Sequence, residues 1–164
     1  MRPLSKSKLL AFRQCPKRLW LEVRQPELRA DSGPAVARFA TGLQVGDIAR
    51  QLYDPQSQGE LINPQAEGFD AAFARTQHLL THSRQPIFEA GFRAGGALAF
   101  ADVLLPSDEG SHNQWRMVEV KSSTSIKDYH RDDAAIQACV AREAGLALTA
   151  IAVAHIDSGW TYPG

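Results

Sequence analysis

Apolar residues recur at three- and four-residue spacing in the first half of the chain and at two-residue spacing after Pro86. Leu9, Leu10 and Phe12 lie in a helix that Ser5 can cap and that stops near Cys15, because Pro16 disfavours helical backbone in the residue before it. Pro16 suits the first turn of a second helix, from Lys17 to about Val23. Residues 25–34 read as a loop. Val36, Phe39, Leu43, Val45 and Ile48, with Ala40 and Ala49 between them, predict a helix over 35–53. Residues 54–68 are rich in Pro, Gly and Gln and read as a surface excursion. Phe69, Ala72, Phe73 and Leu79 or Leu80 predict another helix over 69–83.

Ile87–Arg93 alternates as a strand, and Gly95-Gly96 marks a tight turn into a second arm, Ala97–Leu105. A loop over 106–113 leads to a third strand, Trp115–Lys121. Asp132 or Asp133 can cap a helix that carries Ile136, Cys139 and Val140 on one face and ends near Gly145. Leu146–His155 is apolar almost throughout, as in a strand buried on both faces. Helices followed by strand-strand-strand-helix-strand predict an α/β fold with a mixed sheet, its core at 86–157 and a helical part at 1–53.

The 164 residues suffice for one domain, 1–164, with a sizeable core. The two cysteines, Cys15 and Cys139, exclude a disulfide framework and point to a reducing, cytoplasmic setting. No apolar run reaches the roughly 20 residues that span a bilayer, and no secretory segment follows the first residues. Net charge is zero, yet residues 1–24 hold seven basic side chains against Glu22 alone. A basic end on an acidic body suits a polyanion, with Lys6, Lys8, Arg13, Lys17 and Arg18 as candidate DNA contacts; a solubilised helix accounts for it equally well.

Candidate chemistry centres on two strands. Glu119 and Lys121 are two apart and project to one face, while Asp102 interrupts an apolar run from Ala99 to Leu104. A carboxylate in such a run is costly unless a cation or hydrogen-bond donors meet it. If the two strands are neighbours, Asp102, Glu119 and the Val120 carbonyl form an oxygen site suited to Mg²⁺ or Mn²⁺. A lysine beside it can orient a water and offset charge on a phosphodiester. Taken alone, Glu-x-Lys is most often a solvated ion pair; the combination with Asp102 and a following helix carrying Gln137 sets it apart.

Asp102, then Glu119-Val120-Lys121 on the next strand, then Gln137 on the next helix resembles the signature of the PD-(D/E)XK nuclease superfamily. Leu4-Ser5-Lys6-Ser7-Lys8 followed by Cys15-Pro16-Lys17-Arg18-Leu19-Trp20 is similar to the opening of a bacterial family of unassigned function in its RecB-like, CRISPR-associated-exonuclease-like branch. Gly42 to Leu52, Phe88-Glu89-Ala90, Ala101-Asp102-Val103-Leu104, Glu119 to Thr124 and Ile126-Lys127-Asp128-Tyr129 match its core, so the resemblance covers nearly the whole chain. It implies a restriction-endonuclease-like fold and a Mg²⁺- or Mn²⁺-dependent deoxyribonuclease hydrolysing phosphodiester bonds. Asp102 and Glu119 would be metal ligands with Glu89 in support, Lys121 would position the water, and Gln137 would help orient the site or contact the substrate. The alternative is an inactive nucleic-acid-binding module that keeps the fold.

Three positions depart from the pattern. Gly46 stands about where many RecB-like enzymes carry a metal-binding His, and Ala141 replaces an aromatic residue. Cys15 matches the first of four iron–sulfur ligands, but a cluster needs four, and only Cys139 is available as a second. A cluster would thus need cysteines from a C-terminal region or a partner chain, as in the leading piece of a longer protein. Elsewhere, His78 and His82 share a helix face without an acidic neighbour, and His130 reads as a helix-entry surface residue. His155 and Trp20 read as structural, Cys139 as a small core hydrophobe, and Ser122-Ser123-Thr124 as a turn leaving the sheet.

Overall fold

The computed structural model describes residues 3–29, 33–107 and 113–161, with only the backbone path at 33–40. Expected loop residues 30–32 and 108–112, and the side chains of Val36, Phe39 and Ala40, lie outside the described residues. The elements are β1 (Leu4–Ser5), α1 (Lys6–Gln14), α2 (Pro16–Arg24), a 3₁₀ turn (Pro26–Leu28), α3 (Gly33–Tyr53), β2 (Glu60–Leu61), α4 (Pro64–Glu67), α5 (Phe69–His82), β3 (Ile87–Ala94), β4 (Ala97–Pro106), β5 (Gln114–Lys121), α6 (Asp128–Glu143) and β6 (Ala147–His155). They form an α/β fold around one mixed six-stranded sheet of order β2-β3-β4-β5-β6, with β1 beside β4.

β3 and β4 are an antiparallel hairpin in which Ala94 faces Ala97. Gly95 and Gly96 both take positive φ, 55° and 76°, the geometry of the tight turn that their sequence announces. β5 runs antiparallel to β4, and α6 carries the chain across to β6, parallel to β5. Trp115, Met117, Leu104, Ala101 and Ala90 pack beneath α5 and α6 through Ala72, Val140 and Ala141. Phe88, Val103 and Val118 point to the opposite face, where Tyr53 of α3 covers them.

Three expectations need correction. Residues 54–68 are not simply an excursion: β2 pairs in parallel with β3, α4 follows, and Ile62 is buried. Asn63 caps α4 by accepting from the backbone N–H groups of Gln65 and Ala66, so the Pro and polar residues there are helix-start chemistry. α6 begins at Asp128, four residues before Asp132, so Asp133 lies within the helix and not at its cap. Its buried face is His130, Asp133, Ala134, Gln137, Ala138, Val140 and Ala141; Cys139 is exposed. β6 is not buried on both faces: it pairs only with β5, at the sheet edge, and Ala150, Ile151 and Ala152 are exposed. An apolar run can thus lie at an edge, and hydrophobicity alone does not discriminate edge from centre. Among the described residues, no helix is long and apolar enough to cross a membrane.

Candidate functional site

The sheet is irregular at one level. Along β3, Ile87, Ala90 and Phe92 face the α5–α6 core, whereas strict alternation would turn Ala90 away. The break falls at Glu89, whose φ of +57° is left-handed, a costly conformation for a residue with a side chain. Opposite it, Ala101 and Leu104 also share a face although three residues apart, so alternation in β4 breaks around Asp102. Pairing of β4 with β5 extends from Pro106 to Val103 and stops there. β4 then continues beside β1, with Leu4 opposite Ala97. The strands fork at Asp102, and the β1–α1 junction enters the sheet next to the opening.

Asp102 bridges the fork: its Oδ2 accepts the Val120 N–H at 2.7 Å. Glu119 is almost wholly buried, because its strand face continues from Trp115 and Met117 beneath α6. Its Oε2 accepts from Gln137 Nε2, and its Oε1 accepts from Lys121 Nζ. Lys121 Nζ also donates to Asp133 Oδ2. Lys6, the first residue of α1, brings a second ammonium to 3.3 Å from Glu119 Oε1 and 3.0 Å from Asp133 Oδ1. Gln137 is buried and its Oε1 has no hydrogen-bond partner.

A cavity of about 510 Å³ opens onto this cluster. Glu89, Asp102, Glu119, Lys6 and Lys121 line it, with Gly42, Gly46 and Arg50 of α3 as its far wall. A Cβ built on Gly42 or Gly46 would meet nothing within 4 Å, so α3 leaves open space on this side of the cavity.

Burial followed by the negative charge of Asp102 raises Glu119 to about 7. Burial raises Asp102 too, against the opposing pull of Lys6 and the Val120 N–H. Glu89 is raised by burial, with Lys6 opposing. Burial works against the charge on Lys6 and Lys121, but the carboxylates outweigh it and both ammonium groups are held above their ordinary range. Asp133 is disfavoured by burial and yet lowered overall, because Lys6 and Lys121 both address it. Lys121 is therefore held as an ammonium that donates to Glu119 and Asp133.

The four residues expected to form the site, Asp102, Glu119, Lys121 and Gln137, are brought together, and Glu89 borders the same cavity. Lys6 is not on an outer basic face but inside the cluster. Asp133 is legible in the sequence only as a cap; its position three residues after His130 and four before Gln137 on one helix face is the signal that could have marked it. Of the other basic candidates, Arg13 forms a two-pronged pair with Asp132, and Arg18 pairs with Glu22 and Gln14; Lys17 is exposed. His130 is buried, not superficial: its Nδ1 accepts from the Lys127 N–H, and burial together with Lys121 lowers its pKa. His155 and Trp20 are exposed, since β6 and α2 lie at the periphery. Cys15 is exposed at the α1–α2 junction, and the rings of His78 and His82 stack upon each other.

Among the described residues, no three His, Cys, Asp or Glu side chains converge closely enough to hold a metal as they stand. Glu89, Asp102 and Glu119 nevertheless fit a hard divalent cation in kind: they are oxygen donors, on one cavity, and disfavoured as anions by burial. Comparisons with protein-family models, curated proteins and solved structures found no match to this chain.

Proposed function

We propose that the protein is a metal-dependent deoxyribonuclease of PD-(D/E)XK type with a restriction-endonuclease-like core, hydrolysing phosphodiester bonds at the β4–β5 fork. The carrying observation is that Asp102, Glu119 and Lys121 line one cavity, with Gln137 bonded to Glu119 behind it, and that burial disfavours the cavity's carboxylates as anions. Asp102 and Glu119, with Glu89 and the Val120 carbonyl in support, would hold Mg²⁺ or Mn²⁺. When bound, such an ion supplies Lewis acidity towards the phosphodiester. Lys121 then serves as a fixed donor that orients water and offsets charge developing on phosphate oxygens. Gln137 holds Glu119 Oε2, and with it the direction of the carboxylate. Asp133 holds Lys121 in place.

DNA cleavage in Mn²⁺ should fall at least about 100-fold in Asp102→Ala and in Lys121→Ala. Equal background cleavage in wild type and both variants would sink the enzyme. A second reading, an inactive DNA-binding module, is favoured by two observations: Lys6 already sits against Glu119 Oε1, and Gly46 provides no ligand. Salt-dependent DNA binding without Mn²⁺-dependent cleavage would establish it.

A further inference from the structure

The first helical residue is the least expected member of the cluster. Lys6 is held there from both sides. Ahead of it, Leu4 donates its N–H to the Gly96 carbonyl at 2.9 Å and β1 pairs with Ala97 and Leu98. Behind it, the far end of α1 is tied to α6 by Arg13 and Asp132, next in sequence to Asp133. Lys6 thus points into the fork from an anchored backbone, and its ammonium gives up most of its hydration to meet Glu119 and Asp133. Four carboxylates, Glu89, Asp102, Glu119 and Asp133, face two ammonium groups, Lys6 and Lys121. Arg50, at the cavity wall, is paired with Asp47. With all four carboxylates ionised, the state that metal ligation requires, an excess of two negative charges remains, which is what one divalent ion neutralises. Lys6 and Lys121 together also cover Asp133 and Glu119 Oε1, so these oxygens are already met by ammonium groups and are not free for a second ion.

We propose that Lys6 is a positioning residue that stands in place of a second divalent ion, so that the centre takes one metal and not two. The inference rests on the metal-dependent chemistry proposed above. It goes beyond that chemistry in assigning Lys6 to the centre and in setting the ion count.

Calorimetric titration with Mn²⁺, checked by electron paramagnetic resonance, tests it on wild type, Lys6→Met and Lys6→Arg. One ion per chain is expected in wild type and in Lys6→Arg, and two in Lys6→Met, or one bound at least tenfold more tightly. Lys6→Gln, which keeps a donor towards Asp133, carries the same test should Lys6→Met fail to fold. One ion in wild type with unchanged stoichiometry and affinity in the neutral variant overturns the role of Lys6 and leaves the metal centre standing. Two ions in wild type overturn it equally. No Mn²⁺ bound by wild type, with Asp102→Ala making no difference, removes the metal centre itself and this inference with it.

Discussion

Glu119 is the residue on which pH should act. Raised to about 7 from an ordinary 4.5, it keeps a proton in the folded state that the unfolded chain has already released. Its contribution to stability is therefore largest at low pH and declines as pH rises from about 4.5 to 7. His130 works in the opposite sense: its pKa is lowered, so folding loses stability as pH falls below its ordinary 6.5. Comparing wild type with Glu119→Gln cancels the histidine. In metal-free buffer, the stability of wild type relative to that variant should fall by on the order of 2 kcal/mol between pH 5 and 7 by denaturant unfolding. Glu89 offers a second test. With its left-handed backbone, Glu89→Gly should be more stable than Glu89→Ala by about 1 kcal/mol, since both lose the carboxylate and only glycine escapes the strain. Equal stability of the two would show that the backbone there relaxes freely.

At the scale of elements, the site depends on where pairing stops. β4 and β5 separate at Asp102 and Glu119 because Asp102 takes the Val120 N–H with its side chain, replacing a strand–strand bond. α3 closes the cavity from the other face of the sheet, with Gly46 leaving room for a side chain. Gly46→His should place an imidazole over the carboxylates and tighten Mn²⁺ binding about tenfold or more by calorimetry; an unchanged affinity would show that α3 stands too far off to contribute a ligand. The secondary structure is largely legible in the chain: the Cys15-Pro16 break, the Gly95-Gly96 turn and the Glu119-x-Lys121 strand are local signals, and each is realised. β2 is not legible, because two residues carry no period and its pairing partner β3 lies beyond α4 and α5 in the sequence. The start of α6 is misleading in the sequence because Asp132 and Asp133 advertise a cap, whereas the helix begins after Lys127, whose N–H is accepted by His130 Nδ1.

For the whole molecule, neutral net charge conceals a basic first segment that the fold partly spends on its own acids. Lys6, Arg13 and Arg18 are paired within the protein, so the five basic candidates do not form one uninterrupted phosphate-binding face. On the proposed function, DNA binding should accordingly show a modest salt dependence. Lys8→Ala combined with Lys17→Ala should reduce the slope of log affinity against log salt by about 2, roughly one for each phosphate left without its lysine. An unchanged slope would place the nucleic acid elsewhere.

The chain by itself determined the element types, the hairpin, and the three residues Asp102, Glu119 and Lys121 as the place to look, because periodicity and a charge inside an apolar strand are written in neighbouring positions. Only the tertiary structure decided that Lys6 and Asp133 join them and that β6 is an edge. Those outcomes depend on which distant segments meet, and the same basic or apolar residue serves a surface, a core or a site according to what packs against it.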